Sequence, residues 1–242
     1  QDQMHQAASR MCLLPYLQAV VNLCGDVPKP WILSGEVMDF EEMSKLAKKE
    51  KNDMLRVYIT LTQLELFVIF QDWHAAKMLL ISAGDLRTLA PGSFHGIRFT
   101  FIEGLVSLKA AQSSGSLLTK KRWRAKAKKN IRRMKAWLKK GNVNVVHNVH
   151  VLTAEYHVLN GCSVEAEESF KEASAAASRS GFMHDKALSL ELAGQYYMAK
   201  GDDYWASYNM DLAHQSYLDW HAKSKAENLG NKYPQYLADK GF

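Results

Sequence analysis

The sequence predicts an all-α fold, one continuous stack of antiparallel helix hairpins, and three observations carry the prediction. Apolar residues recur every three or four positions through segments of about 15–20 residues, as Leu61, Leu64, Phe67 and Val68 do in one segment and Leu188, Leu192 and Tyr196 in another. Short polar or glycine-bearing stretches separate these segments, which is how helix hairpins are joined. The chain also matches itself at an offset of 40: YHVLNG (156–161) and YYMAKG (196–201) close two segments, and Ala166, Phe170 and Ala173 stand against Ala206, Met210 and Ala213. Ala127 precedes Ala166 at nearly the same offset. A small residue lets neighbouring helices approach, and the bulkier residue four positions on fills the space between them. Stacked hairpins need this pattern, because one hairpin alone leaves an apolar face in water.

The elements follow in order from the breaks. GDVPKPWILSGE (25–36) separates a first helical segment from the next. VYITLTQLELFVIF (57–70) is the longest apolar run, and Gln63 and Glu65 interrupt it, so it reads as a buried helix and falls short of the roughly 18 residues of a membrane span. Further joints are expected at APGSFHG (90–96), QSSGS (112–116), KKGNVN (139–144), NGCS (160–163), RSGF (179–182) and KGDD (200–203). Together they give about five hairpins in a single helical domain over residues 1–242. The start, QDQMHQAASR, has neither an initiating Met nor a signal pattern and reads as an internal fragment of a longer polypeptide. Cys12, Cys24 and Cys162 are too far apart for a paired zinc motif or a disulfide framework, which favours a reducing, cytoplasmic setting.

The charge is unevenly placed. The net +6 hides a stretch from Gly104 to Ala154 with no acid and a charge of +13, which leaves −7 for the rest. Twelve of those cations lie in TKKRWRAKAKKNIRRMKAWLKKG (119–141). Trp123, Ala127, Ile131, Met134 and Leu138 are spaced as one helical stripe, so this is a folded helix with a packed face. Lys121, Arg124, Lys128, Arg132, Lys135 and Lys139 fall on its other sides as a candidate partner-binding basic face. A solvated face or one paired with a neighbouring domain of the same chain leads; an acidic protein, or nucleic acid or lipid bound through 120–140, would also suit it, although membrane modes that use the apolar stripe need that stripe free.

Other chemistry is weakly signalled. No phosphate-binding loop, kinase catalytic loop or nucleophile elbow occurs, so no catalytic residue and no cofactor is assigned. His147, His150 and His157 form the one histidine cluster but lack further ligands at zinc spacing, so no metal is assigned and they read as interfacial imidazoles. Asp202, Asp203, Glu165, Glu167 and Glu168 sit at helix starts, where the helix dipole alone favours acids. Trp205, Tyr208 and Tyr217, with Tyr196 and Tyr197, are spaced as core between hairpins, and Trp220 is the candidate exposed aromatic anchor.

Four stretches carry a resemblance: NLCGDVPKPWILSGEVMDFEEM (22–43), LELFVIFQDWHAAKMLL (64–80), APGSFHGIRFTFIEGLVSL (90–108) and the run 181–234 from GFMHDKALSLELAGQYYMAKG to NLGNKYP. They resemble, in the same order, the tetratricopeptide-like helical region of giant multidomain signalling kinases. Those proteins join a protein-kinase-like domain, an AAA-type ATPase, this array, a GAF domain and a histidine kinase. The resemblance implies a right-handed α-solenoid without an active site, acting in protein interaction and regulation inside a cytoplasmic ATPase and histidine kinase. This chain departs from the pattern in its cations at 120–140 and in reading KGNVNVVH (140–147) where a Pro is common.

Overall fold

The computed structural model describes residues 2–237, and among them every regular element is helical. The chain divides into two compact units, with the division between Ile102 and Glu103. The first holds α1 (Asp2–Cys24), α2 (Phe40–Lys49), α3 (Asp53–Ile69) and α4 (Trp73–Ala83). The division falls inside α5 (Phe94–Gln112). The second holds α6 (Leu117–Lys139), α7 (Val146–Asn160), α8 (Ser163–Arg179), α9 (Met183–Lys200), α10 (Asp203–Asp219), α11 (Lys223–Lys232) and α12 (Pro234–Leu237).

In the first unit α3 is central, packed by α1, α2 and α4. It is the apolar run of the sequence, with Leu55, Val57, Ile59 and Leu64 wholly buried. Gln63, the apparent interruption of that run, is itself buried and pins the loop before α2. Its Oε1 accepts from the Leu33 N–H at 2.7 Å and its amide donates to the Trp31 carbonyl at 2.8 Å. Gln18 and Asn22 of α1 do the same: Gln18 Oε1 accepts from the Val37 and Met38 N–H groups, and the Asn22 amide donates to the Pro30 carbonyl. A loop without secondary structure has its backbone groups satisfied by three buried amides, which is why polar residues stand on otherwise apolar helix faces.

Among the described residues, seven helix ends share one geometry. Lys51 and Gln71 in the first unit, and Gly141, Gly161, Gly181, Gly201 and His221 in the second, all have left-handed φ, between 51° and 94°. Within each unit their numbers advance in steps of 20. At each, the left-handed residue's N–H returns to the carbonyl three positions back and the next N–H to the carbonyl five back. Gly161 bonds Val158 at 3.1 Å and Cys162 bonds His157 at 3.0 Å; His221 bonds Leu218 at 2.8 Å and Ala222 bonds Tyr217 at 2.9 Å. These bonds take up carbonyls that a helix end otherwise leaves unpartnered. At Asn52, Asp72 and Asp202 the side chain then caps the next helix, accepting from the N–H of Leu55, Ala75 and Trp205. One helix with its joint fills one such step, and a hairpin fills two, which is the self-match seen in the sequence. At 140–147 the chain makes a 3₁₀ turn, Val143–Val145, before α7.

Packing in the second unit runs between successive helices: α6 on α7, α7 on α8, α8 on α9, α9 on α10, and α10 on α11. Ala127, Ala166, Ala173, Ala206 and Ala213 are wholly buried, as are Met134 and Met210. In the first unit Ala76 and Leu80 of α4 are buried at the same spacing. Gly194 marks a close approach of α9 to α10, since a Cβ there would stand 2.9 Å from Met210 Cγ.

Buried ion pairs and hydrogen bonds link alternate helices. Glu155 of α7 accepts from Lys109 Nζ of α5 at 2.6 Å and from the Gln112 amide at 2.8 Å. His147 of α7 and Asp185 of α9 share a hydrogen bond of 2.8 Å. Glu191 of α9 accepts from Lys225 Nζ of α11 at 2.7 Å and from the Tyr217 hydroxyl of α10 at 2.8 Å. Glu191, Lys225 and Tyr217 are all fully enclosed. Burial pulls the Lys225 ammonium below the usual lysine range, with Glu191 opposing, and pushes the Tyr217 phenol well up.

Candidate functional site

The basic segment folds as α6, capped by the Ser116 hydroxyl, which accepts from the Thr119 N–H. Ala127, Ile131 and Met134 are buried, while Trp123 and Leu138 are half-buried at the two ends of the stripe. Asn130 is buried with them and donates to Glu103 of α5 at 3.0 Å. Lys121, Arg124, Lys128, Arg132, Lys135 and Lys139 are all exposed. At about 100° of rotation per residue they fall within an arc of about 80° on one side of the helix. Of the twelve cations from 120 to 140, Lys126 alone has an ion pair among the described residues, with Glu103 at 2.9 Å.

Glu103 and Glu155 bound the acid-free stretch, and both are buried and engaged, the first by Lys126 and Asn130 and the second by Lys109 and Gln112. Neither carboxylate is available to the strip. Its field shows on its neighbours in α7. The Arg124 guanidinium lies 5.5 Å from the Tyr156 ring centroid and holds the phenol below its usual range, with Lys128 contributing. Burial lowers the His150 imidazole, and Lys135 and Arg179 add to the effect.

The second feature is a groove of about 590 Å³ between α8 and α10, floored by α9. Tyr197, Trp205 and Tyr208 line one side and Glu167, Glu168 and Lys171 the other. Trp205 stacks on Tyr197 with ring centroids 6.1 Å apart and meets Tyr208 edge-on at 5.4 Å. Glu167 is held in place by Lys200 Nζ at 2.6 Å and by the Tyr196 hydroxyl at 3.2 Å. The groove thus offers aromatic surface beside carboxylates, a setting for an aromatic or cationic side chain of a partner.

This corrects one expectation from the spacing. Tyr217 is wholly buried, as a core residue should be, but Trp205 is 44% and Tyr208 49% exposed. Their counterparts one hairpin earlier are Glu165 and Glu168, both exposed. These are outward positions of the repeat, and that comparison within the sequence is the signal that marks them. Trp220 is half-buried at the end of α10, its ring 5.3 Å from that of His184.

The remaining candidates find structural places. Asp202 caps α10, Asp203 accepts from the Tyr236 hydroxyl at 2.8 Å, and Glu165 lies in the first turn of α8. His147 is buried against Asp185 and stacked on Phe182, while His150 and His157 are half-buried. Among the described residues no three His, Cys, Asp or Glu side chains converge to hold a metal ion, and no helix is long and apolar enough to cross a membrane. No protein-family model, no curated protein and no solved structure matches the chain.

Proposed function

We propose that this chain is a non-catalytic helical-repeat array for protein interaction and regulation. In this reading it is a right-handed α-solenoid forming one continuous domain inside a large cytoplasmic ATPase and histidine-kinase signalling protein. The observation that supports the repeat array is the regular recurrence of one joint geometry at seven helix ends, while the signalling context is what the resemblance of the four sequence stretches implies. Repetition of one joint makes each hairpin a copy of the last, and such stacks present extended surfaces to a partner while each unit touches only its neighbours. The α8–α10 groove is the place where a segment of a neighbouring domain or a protein partner docks.

Two measurements test the reading. The reading frame on either side should encode a phosphate-loop ATPase before the chain and a histidine-kinase core after it; neither being present refutes the signalling context. Separately expressed neighbouring domains should bind the chain in calorimetric titration, with Trp205→Ala or Tyr208→Ala weakening binding about tenfold or more. Unchanged affinity in both variants removes the groove from the proposal, and no binding by any neighbouring domain refutes the array's regulatory role.

A further inference from the structure

We propose that α6 docks on an anionic membrane surface, with its cationic strip on the headgroups and its N-terminal leucines entering the interface. The proposal rests on α6 alone and stands apart from the regulatory reading above. In the register that sets Ala127 against Ala166, the α6 counterpart of Ser163, which opens α8, is Arg124. Yet α6 begins at Leu117, so about two extra turns project beyond the repeat. Those turns carry Leu117 and Leu118, which are 79% and 72% exposed.

At about 100° per residue Leu117 lies on the same side of the helix as the six exposed cations, and Leu118 about 100° further round. The strip therefore runs from an apolar tip at Leu117 through Lys121, Arg124, Lys128, Arg132 and Lys135 to Lys139. Just past its far end Val143 is again 67% exposed. The whole of α6 is about 34 Å long.

An exposed apolar end on a helix side dense in Lys and Arg is the composition of a surface that lies on lipid and does not span it. Buried stripe and exposed strip are separate here. Ala127, Ile131 and Met134 serve the packed face, so docking needs no unfolding of the helix. The strip also lacks what a nucleic-acid groove needs for bases. Trp123 is half-buried beneath Lys126, whose Nζ sits 5.4 Å from its ring, and Tyr156 is taken by Arg124. A phosphate backbone gives Leu117 and Leu118 nothing to enter, whereas a bilayer interface does.

The test is co-sedimentation of the intact chain with vesicles of phosphatidylcholine, with or without phosphatidylserine, at about 0.15 M salt. Binding is expected only where phosphatidylserine is present. Each cation near such a surface favours binding about fivefold, so Lys128→Glu/Arg132→Glu/Lys135→Glu lowers partitioning at least about 100-fold. Leu117→Ser/Leu118→Ser, which leaves the charge unchanged, lowers it about tenfold. Every substituted residue is exposed, and circular dichroism confirms that the variants keep their helix. Absence of binding to phosphatidylserine vesicles overturns the proposal. So does partitioning that the leucine pair does not affect. Displacement from vesicles by a short DNA duplex that binds the leucine variant as tightly as the parent chain overturns it in favour of nucleic acid.

Discussion

Replacing Lys225 with methionine strands the Glu191 carboxylate in the core of the second unit. The two groups sit 2.7 Å apart, 1% and 0% exposed. Their attraction is about 6 kcal/mol at an effective dielectric constant of about 20, and desolvation of each ion costs several kcal/mol against it. The intact pair therefore contributes little net stability, while the loss of one member contributes a large penalty. For Lys225→Met the expected cost is about 3–5 kcal/mol. The Tyr217 hydroxyl still donates to Glu191, so the carboxylate keeps one partner, which favours the lower half of that range.

Hydrogen exchange of α9, α10 and α11 amides reads the effect locally, and protection there should fall roughly 10²- to 10³-fold. The apolar replacement Glu191→Leu/Lys225→Met/Tyr217→Phe should recover stability to within about 1 kcal/mol or exceed the starting value. A single substitution costing under about 1 kcal/mol, or a triple variant worse than the single one, refutes the stranded-charge account.

Lys51→Gly and His221→Gly each relieve a left-handed backbone conformation at an exposed joint and should raise unfolding free energy by about 0.5–1 kcal/mol in a urea titration. Gly161→Ala should lower it by a similar amount. Gly194→Val drives methyl groups toward Met210 at the α9–α10 approach and should cost about 1–3 kcal/mol in the same measurement. Burial holds the His95 and His150 imidazoles below the usual histidine range. In both cases the unfolded chain takes a proton first as pH drops below about 6.5, so stability is full above that pH and declines beneath it. Melting curves across pH 5–8 should show this slope, and His150→Asn should reduce it.

Much of the fold can be read from the sequence because glycine marks the joints. Gly141, Gly161, Gly181 and Gly201 stand in four of the expected breaks, and each is a left-handed helix end. The joints at Lys51, Gln71 and His221 were silent because a side-chain-bearing residue occupies the same conformation, held by the two hydrogen bonds of the turn. The buried alanines were legible for a related reason, since their size is fixed by helix approach. The groove was hidden by composition: Trp205 and Tyr208 have the spacing of core residues, and only their glutamate counterparts in the preceding hairpin show that the position faces outward. Gln63 and Lys225 illustrate the converse. Nothing local in the sequence marks either side chain as enclosed, yet both are buried because a partner distant in sequence, the Leu33 backbone or Glu191, receives them.

The joints and the buried ion pairs pull the repeats in opposite directions. Because one turn geometry recurs at a constant interval through the second unit, excising 161–200 would leave every helix end there in register and every joint chemically intact. The same excision would remove Asp185 and Glu191 together, and so deprive His147, Lys225 and Tyr217 of the acceptors they meet across the stack. The backbone makes the hairpins interchangeable parts, while the enclosed charges give each one a single address. Shuffled or shortened versions of this chain should accordingly fail at three identifiable residues and not at their turns, and a designer wishing to extend the array would have to copy the pairs along with the period.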